Sequence, residues 1–446
     1  MSMDTPLKAD KDFSETLDEQ FPQIDSISKD DYKEAMDKLL LLEKQTRQAS
    51  DLASSKRIMV KLVDLLTAKK DWDSLNEQIM LLSKKHGQLK DSIQVMIQQV
   101  IGHLDAIEDL DTKIETIETI RTVTENKIFV ELERARVTKA LSDILLNEKH
   151  DLDKACEVLC ELQVETYSSM ELEEKIRFIE DQMTLSNMKG DFQFSEILSR
   201  KILARTLENF KELKLRYYQL MIEIATQADD YINAVTYNLS AYHIPASEEK
   251  DDADESETLK YLEQAVYFVI LSPYSPLQND LILKMKADKN INKFSVCKAL
   301  IKALTTQEII VWEQFEKEFG PELFKDILYD QKSDSGKRHY ADLKKRTIEF
   351  NLRVISNYYS SIKLNRLCEL LQLDQPSVED SIIELVNSGA IYARINRPAK
   401  VVSFIQPKSE NDLLNEWSTN IDMLLEDIKT IEHLIGKEEM LHGAKA

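Results

Sequence analysis

The sequence predicts an all-α protein: a helical-repeat solenoid, then a winged-helix module with a small β-hairpin, then one long C-terminal helix. Three observations carry this. Glycine is scarce, 8 of 446 residues, about 2% where chains average about 7%. No proline lies between Pro22 and Pro245; proline breaks helix interiors and glycine weakens them. One local pattern recurs at multiples of about 40 residues, the mark of a repeat architecture.

Taken in order, residues 1–12 are polar and expected to be disordered, and residues 13–242 are expected to form the solenoid. Apolar residues recur there at helical spacing: Ile58, Leu62, Leu65 and Leu66 share one face. The repeat shows in KDWDSL (70–75), HDLDKA (150–155), GDFQFS (190–195) and DDYINA (229–234). Each has an acidic residue, Asp71, Asp151, Asp191 or Asp230, followed at once by Trp72, Leu152, Phe192 or Tyr231. Four places after the Asp stands Ala155, Ser195 or Ala234, with Leu75 the exception. The Asp reads as a turn and N-cap, the large residue as packing on the previous helix, and the small one as a close helix approach. The pattern resembles the opening helix of a tetratricopeptide-type (TPR-like) repeat at a longer period.

SEEKDDADESE (247–257) reads as an acidic, solvated loop within 243–258. The next expected domain is 259–408, with a helical part over 259–342 and a winged helix over 343–408. DQKSDSGK (330–337) marks the internal boundary. Helices are expected at Leu343–Tyr359, Leu364–Leu371 and Ser377–Asn387, the last opened by a Ser377/Asp380 capping box and followed by Gly389. AIYARIN (390–396) and VVSFI (401–405) then read as a hairpin. In the final segment, 409–446, a Ser409/Asp412 capping box precedes Leu414, Trp417, Ile421, Leu424, Ile428, Ile431 and Ile435 at alternating steps of 3 and 4. Gly436 is expected to stop this helix. So narrow a stripe suits packing against other long helices.

Charge and motifs narrow the function. A net charge of −22 repels nucleic-acid phosphates and anionic lipid surfaces. No apolar run reaches the ~18 residues of a membrane span. The beginning, MSMDTPLKADKDF, reads as neither signal nor transit peptide. Four cysteines in 446 residues make no disulfide framework, so a reducing compartment, cytoplasm or nucleus, is expected. There is no GxxxxGK[ST], no HExxH and no His-x-His pair, hence no P-loop or zincin signature. Cys156 and Cys160 share a helix face near His150; they read as structural thiols, since no second pair completes a tetrahedral metal site. No catalytic residue, metal or cofactor is expected. The presumed recognition helix carries Glu379, Asp380 and Glu384 and no Lys or Arg, the wrong sign for a DNA groove. The wing's Arg394, Arg397 and Lys400 are better suited to an acidic protein surface.

A helical arm running into a winged helix and then a C-terminal helix resembles the PCI-domain family, found in the proteasome lid, the COP9 signalosome and translation initiation factor three. LEKQTRQASDLASSK (42–56), IETIRTVTENKIFVELERARVTK (117–139), YFVILSPYSPLQNDLI (267–282), IYARINRPAKVVSF (391–404) and LLNEWSTNID (413–422) are similar to the PCI-domain lid subunits of the 26S proteasome regulatory particle, specifically the regulatory-particle non-ATPase subunit 5 family. The resemblance implies a non-catalytic scaffold in ubiquitin-dependent degradation, with service in the signalosome as the alternative. It also implies partners: other PCI lid subunits, the metal-dependent deubiquitinating subunit, and the ATPase ring or core particle reached by the solenoid. PCI winged helices pair side by side, which would place Ile391, Ala393, Arg394, Ile395, Arg397, Val401, Ser403 and Ile405 at a PCI–PCI contact. The stripe from Leu414 to Ile435 would enter a helical bundle.

Overall fold

The protein is seen in a computed structural model, which describes residues 13–30, 32–244, 252–323, 327–329 and 334–443. The expectations for residues 1–12, 245–251, 330–333 and 444–446 lie outside the described residues. The chain divides into two units, residues 1–248 and 249–446.

The first unit is a succession of helices: α1 (Ser14–Asp30), α2 (Tyr32–Gln48), α3 (Leu52–Ala68), α4 (Trp72–Lys84), α5 (Lys90–His103), α6 (Leu110–Thr124), α7 (Glu131–Asn147), α8 (Leu152–Cys160), α9 (Leu172–Lys189), α10 (Phe192–Ser199), α11 (Ala204–Leu207), α12 (Lys211–Gln227) and α13 (Tyr231–Tyr242). The repeated Asp residues do what their spacing predicts. Asp71, Asp151, Asp191 and Asp230 cap α4, α8, α10 and α13, each accepting from the backbone N–H three residues on at 3.1–3.4 Å. Such caps satisfy donors that the first helical turn leaves unpaired. The residue before each Asp (Lys70, His150, Gly190, Asp229) has positive φ, and Asp71, Asp191 and Asp230 each donate N–H to the carbonyl five residues back. This closes one helix and opens the next within two to four residues. The positions four after the Asp (Leu75, Ala155, Ser195, Ala234) are all 0% exposed.

Two members of the series escape the sequence pattern. Asp51 caps α3 in the same way, accepting from Ser54 N–H at 3.3 Å. Asp109 sits at the N-cap of α6 without a side-chain cap bond, and fills the long gap between Asp71 and Asp151.

A second periodicity ties neighbouring repeats together. Ion pairs join residues 36–42 apart: Lys61–Asp25 (2.8 Å), Lys70–Glu108 (3.0 Å), Lys85–Glu43 (3.1 Å), Arg136–Glu174 (2.9 Å) and Lys189–Asp153 (3.1 Å). Glu43 is buried; the other pairs are largely exposed, and exposed pairs are worth about 0–1 kcal/mol each, so their contribution is register rather than strength. The strength comes from a core running from Leu17 to Ala155 and on to Ile224.

The second unit contains α14 (Asp252–Leu271), α15 (Pro276–Ala287), α16 (Ser295–Thr305), α17 (Trp312–Leu323), α18 (Asp334–Tyr358), β1 (Ser361–Lys363), α19 (Leu364–Leu371), α20 (Gln375–Asn387), β2 (Arg394–Asn396), β3 (Val401–Ser403) and α21 (Glu410–Gly443). Every residue from Ala265 to Leu271 is buried, so the last turns of α14 are covered all round, as a helix without a polar face must be. Asn351 of α18 fixes the segment before α17: its Oδ1 accepts from Ile310 N–H and its Nδ2 donates to Ile310 O, both at 2.8 Å.

Several boundaries differ from expectation. The acidic stretch is helical from Asp252, and α18 begins at Asp334 inside the expected polar break. α20 starts at Gln375, with Asp374 at the N-cap and Pro376 in the first turn. Proline fits that turn, where its missing N–H has no partner to lose, so Ser377 is not a cap. α21 continues through Gly436 to Gly443: one glycine costs a helix only about 1 kcal/mol. The hairpin pairs over three residues per strand, and the sheet has a third strand, β1, giving the order β1-β3-β2, all antiparallel.

Candidate functional site

The structure offers two candidate interaction surfaces, both in the second unit. The first is α21. Ser409 caps it: Asp412 N–H donates to Ser409 Oγ at 3.1 Å, and that hydroxyl donates to the Asp412 carboxylate at 2.6 Å. Glu410 and Asp412 in the first turn suit the positive end of the helix dipole. With 34 residues it spans about 51 Å at ~1.5 Å per residue. None of its residues is buried. Leu414, Trp417, Ile421, Leu424, Ile428, Ile431 and Ile435 stand 45–68% exposed. Leu413, Leu425, Leu434 and Leu441 are exposed beside them, widening the stripe at both ends. Burying seven such side chains is worth roughly 10–20 kcal/mol gross at ~1.5–3 kcal/mol each, before the costs of association.

The second surface is the edge of the wing. The expected contact residues separate into three groups. Ile391 is a correction: it is buried in the winged-helix core with Leu367, Val378, Ile382 and Val402. It precedes the paired stretch, so the in-out alternation read from 391 to 395 does not apply to it. Val401 and Ser403 are half-buried and lie on β3, the central strand. Its backbone is paired with β1 on one side and β2 on the other, leaving no free edge there. Arg394, Arg397 and Ile405 are exposed, and Ala393 and Ile395 half-buried. Ile395 lies on β2, whose outer edge faces no strand of this sheet. Such an edge is a template for a neighbouring strand.

Charges around the wing are mostly paired within the module. Arg397 Nε donates to Glu379 Oε2 at 3.0 Å, and Lys345 pairs with Glu384 at 2.7 Å. Hydrogen bonds from Gln375 and Arg397 hold the Glu379 carboxyl below its usual range. α20 therefore presents ionised acid where a DNA-reading helix presents base.

The polar groups elsewhere serve the fold. In the cleft between α14, α15 and α18, Gln278 Nε2 donates to Val269 O and Ser272 O (2.9 and 3.0 Å), and Arg346 binds Leu271 O and Glu349. Among the described residues no group of three or more His, Cys, Asp or Glu is arranged to hold a metal ion. Cys156 and Cys160 are free thiols. No helix among the described residues is long and apolar enough to cross a membrane.

Comparison with known proteins follows the same partition. Residues 34–250 match the family model PSMD12/CSN4, N-terminal; residues 313–406 match the PCI domain; residues 411–443, almost the whole of α21, match the 26S proteasome regulatory subunit RPN5 C-terminal domain. The 26S proteasome regulatory subunit RPN5 of Saccharomyces cerevisiae is 52% identical over 450 residues, covering 100% of both chains. The 26S proteasome non-ATPase regulatory subunit 12 of Dictyostelium discoideum is 38% identical, covering 92% of this chain and 90% of its own. The regulatory subunit rpn501 of Schizosaccharomyces pombe is 36% identical over 98% of each. Sequence, fold and the C-terminal helix thus agree: this chain belongs to the RPN5 family of 26S proteasome regulatory subunits.

Proposed function

We propose that the chain is a non-catalytic scaffold subunit of the 26S proteasome regulatory-particle lid, serving ubiquitin-dependent protein degradation in the cytoplasm and nucleus. The observation that carries this is α21: a helix of 34 residues, none of them buried, coinciding with the RPN5 C-terminal match. Its mechanism is binding geometry. α21 enters a bundle with helices of other lid subunits, the deubiquitinating subunit among those held there. The β2 edge, with Arg394, Ile395 and Arg397, meets a neighbouring PCI module. The solenoid reaches the ATPase ring or core particle.

Native purification of the tagged chain tests this: lid, ATPase-ring and core subunits should accompany it. Leu424→Asp should leave the isolated chain folded and abolish that co-purification. A chain recovered alone, or a Leu424→Asp variant that unfolds as a monomer, would contradict the reading. The N-terminal family model is shared by name with CSN4, which keeps the COP9 signalosome as the alternative. The C-terminal match to RPN5 favours the proteasome, and signalosome subunits without ATPases in the purified complex would reverse that preference.

A further inference from the structure

Helix α8 carries two cysteines that the scaffold role does not use. Cys156 and Cys160 are one helical turn apart, with their sulfurs 3.8 Å from each other. Cys156 is buried among Leu159, Leu162 and Ile179, and Cys160 is half-buried against the same cluster at the last turn of α8.

Geometry separates the fates open to such a pair. A disulfide needs sulfurs ~2.05 Å apart and Cβ atoms ~3.5–4.5 Å apart, whereas helical i, i+4 positions hold Cβ atoms at about 5–6 Å. Forming the bond requires opening the helix. A bridge through one atom does not: two bonds of ~2.3 Å meeting at the roughly 100° angle of a pyramidal trivalent centre bring the sulfurs to about 3.5 Å, a small side-chain rotation from the 3.8 Å seen here. A metal ion would need further ligands, and among the described residues no third His, Cys, Asp or Glu completes a set. A monosubstituted trivalent arsenic atom needs only two, since its third bond is already made to carbon.

We infer that Cys156 and Cys160 form a bidentate dithiol site for monosubstituted trivalent arsenicals, R–As(OH)2. In the reaction two As–S bonds form and two As–O bonds break. Each thiol proton leaves on a hydroxide as water, so two waters are released. Arsenic stays trivalent and no oxidant is needed. The surroundings suit a neutral product: burial, then the adjacent Cys156, push the Cys160 thiol up to about 12. Oxidation and alkylation run through the thiolate and are slowed there, while the two-point attachment holds an arsenical that a lone thiol releases. The site adjoins a junction between repeats, where Gln182 Nε2 donates to Leu159 O at 2.7 Å and Leu162 O at 3.1 Å.

The test uses the full chain and methylarsonous acid, read by intact mass after a wash with excess 2-mercaptoethanol. One methylarsenic group per chain should survive the wash and be stripped by ethanedithiol. Cys160→Ser should retain none, while Cys297→Ser and Cys368→Ser should each retain one. Tryptic digestion of the wild-type adduct, which needs no variant to fold, should place the group on residues 155–175, the peptide holding both cysteines. No retained group, a group kept by folded Cys160→Ser, or a group on another peptide would overturn the inference.

Discussion

Helices α9 and α21 are both amphipathic and both open with acidic residues, yet they end in opposite situations. α9 buries Ile176, Phe178, Ile179, Met183 and Leu185 against α8, α10 and α12. It also buries polar groups, and one of them finds its partner a repeat away: Asn187 Nδ2 donates to Glu223 at 3.1 Å. α21 buries nothing. Its residues are no less apolar; what it lacks is a covering partner among the described residues of its own unit. The solenoid solves the burial problem by repetition, whereas α21 leaves its stripe for other polypeptides.

That contrast sets the size of mutational effects. The largest belongs to the solenoid interior. Leu82→Ala, at a side chain 0% exposed, should cost about 2–5 kcal/mol in urea unfolding. The same truncation at Leu424 should stay within ~0.5 kcal/mol. Comparable losses at both sites would erase the distinction.

Next comes Glu180 of α9. Its side chain is 0% exposed, neither carboxylate oxygen has a hydrogen-bond partner among the described residues, and Arg216 approaches only to 4.0 Å. Burial raises its pKa from 4.5 to about 7, with Arg216 opposing the rise. A carboxyl whose folded pKa is raised contributes stability that is fully present below the unfolded value. That stability is lost as pH climbs through the folded one. Glu180→Gln should therefore gain on wild type by roughly 2 kcal/mol between pH 5 and pH 8, read from urea midpoints at each pH. A constant difference across that range would remove the buried acid from the account.

Asp71→Ala should cost about 1 kcal/mol, since it removes the α4 cap and the acceptor of the Tyr32 hydroxyl at 2.8 Å. The smallest effect is at the wing. Charge reversal at Arg394 and Arg397 should leave helix content unchanged by circular dichroism while weakening one neighbour contact in the assembly. A fall in helix content would show that these arginines serve the module itself.

What the sequence could disclose follows from how local each determinant is. The capping Asp residues act over three residues, so their pattern was visible. The ion pairs between repeats act across 36–42 residues, and nothing adjacent in sequence marks Lys70 and Glu108 as partners. β1 was missed because Ser361–Lys363 is too short to alternate, with only Ile362 turned inward. With β1 in place, Val401 and Ser403 lie on the central strand of the sheet. Ile391 turns inward because its neighbours are not strand, and α14 and α18 start early because their polar first turns still form helix. The α21 stripe is legible residue by residue; that the described residues of its own unit leave it uncovered is a property only the fold displays.

Hydrogen exchange of the α21 amides tests the central claim most directly, measured on the free chain and on the chain in its purified complex. The account predicts rapid exchange from Leu414 to Ile435 in the free chain and strong protection in the complex. Strong protection already present in the free monomer would contradict it.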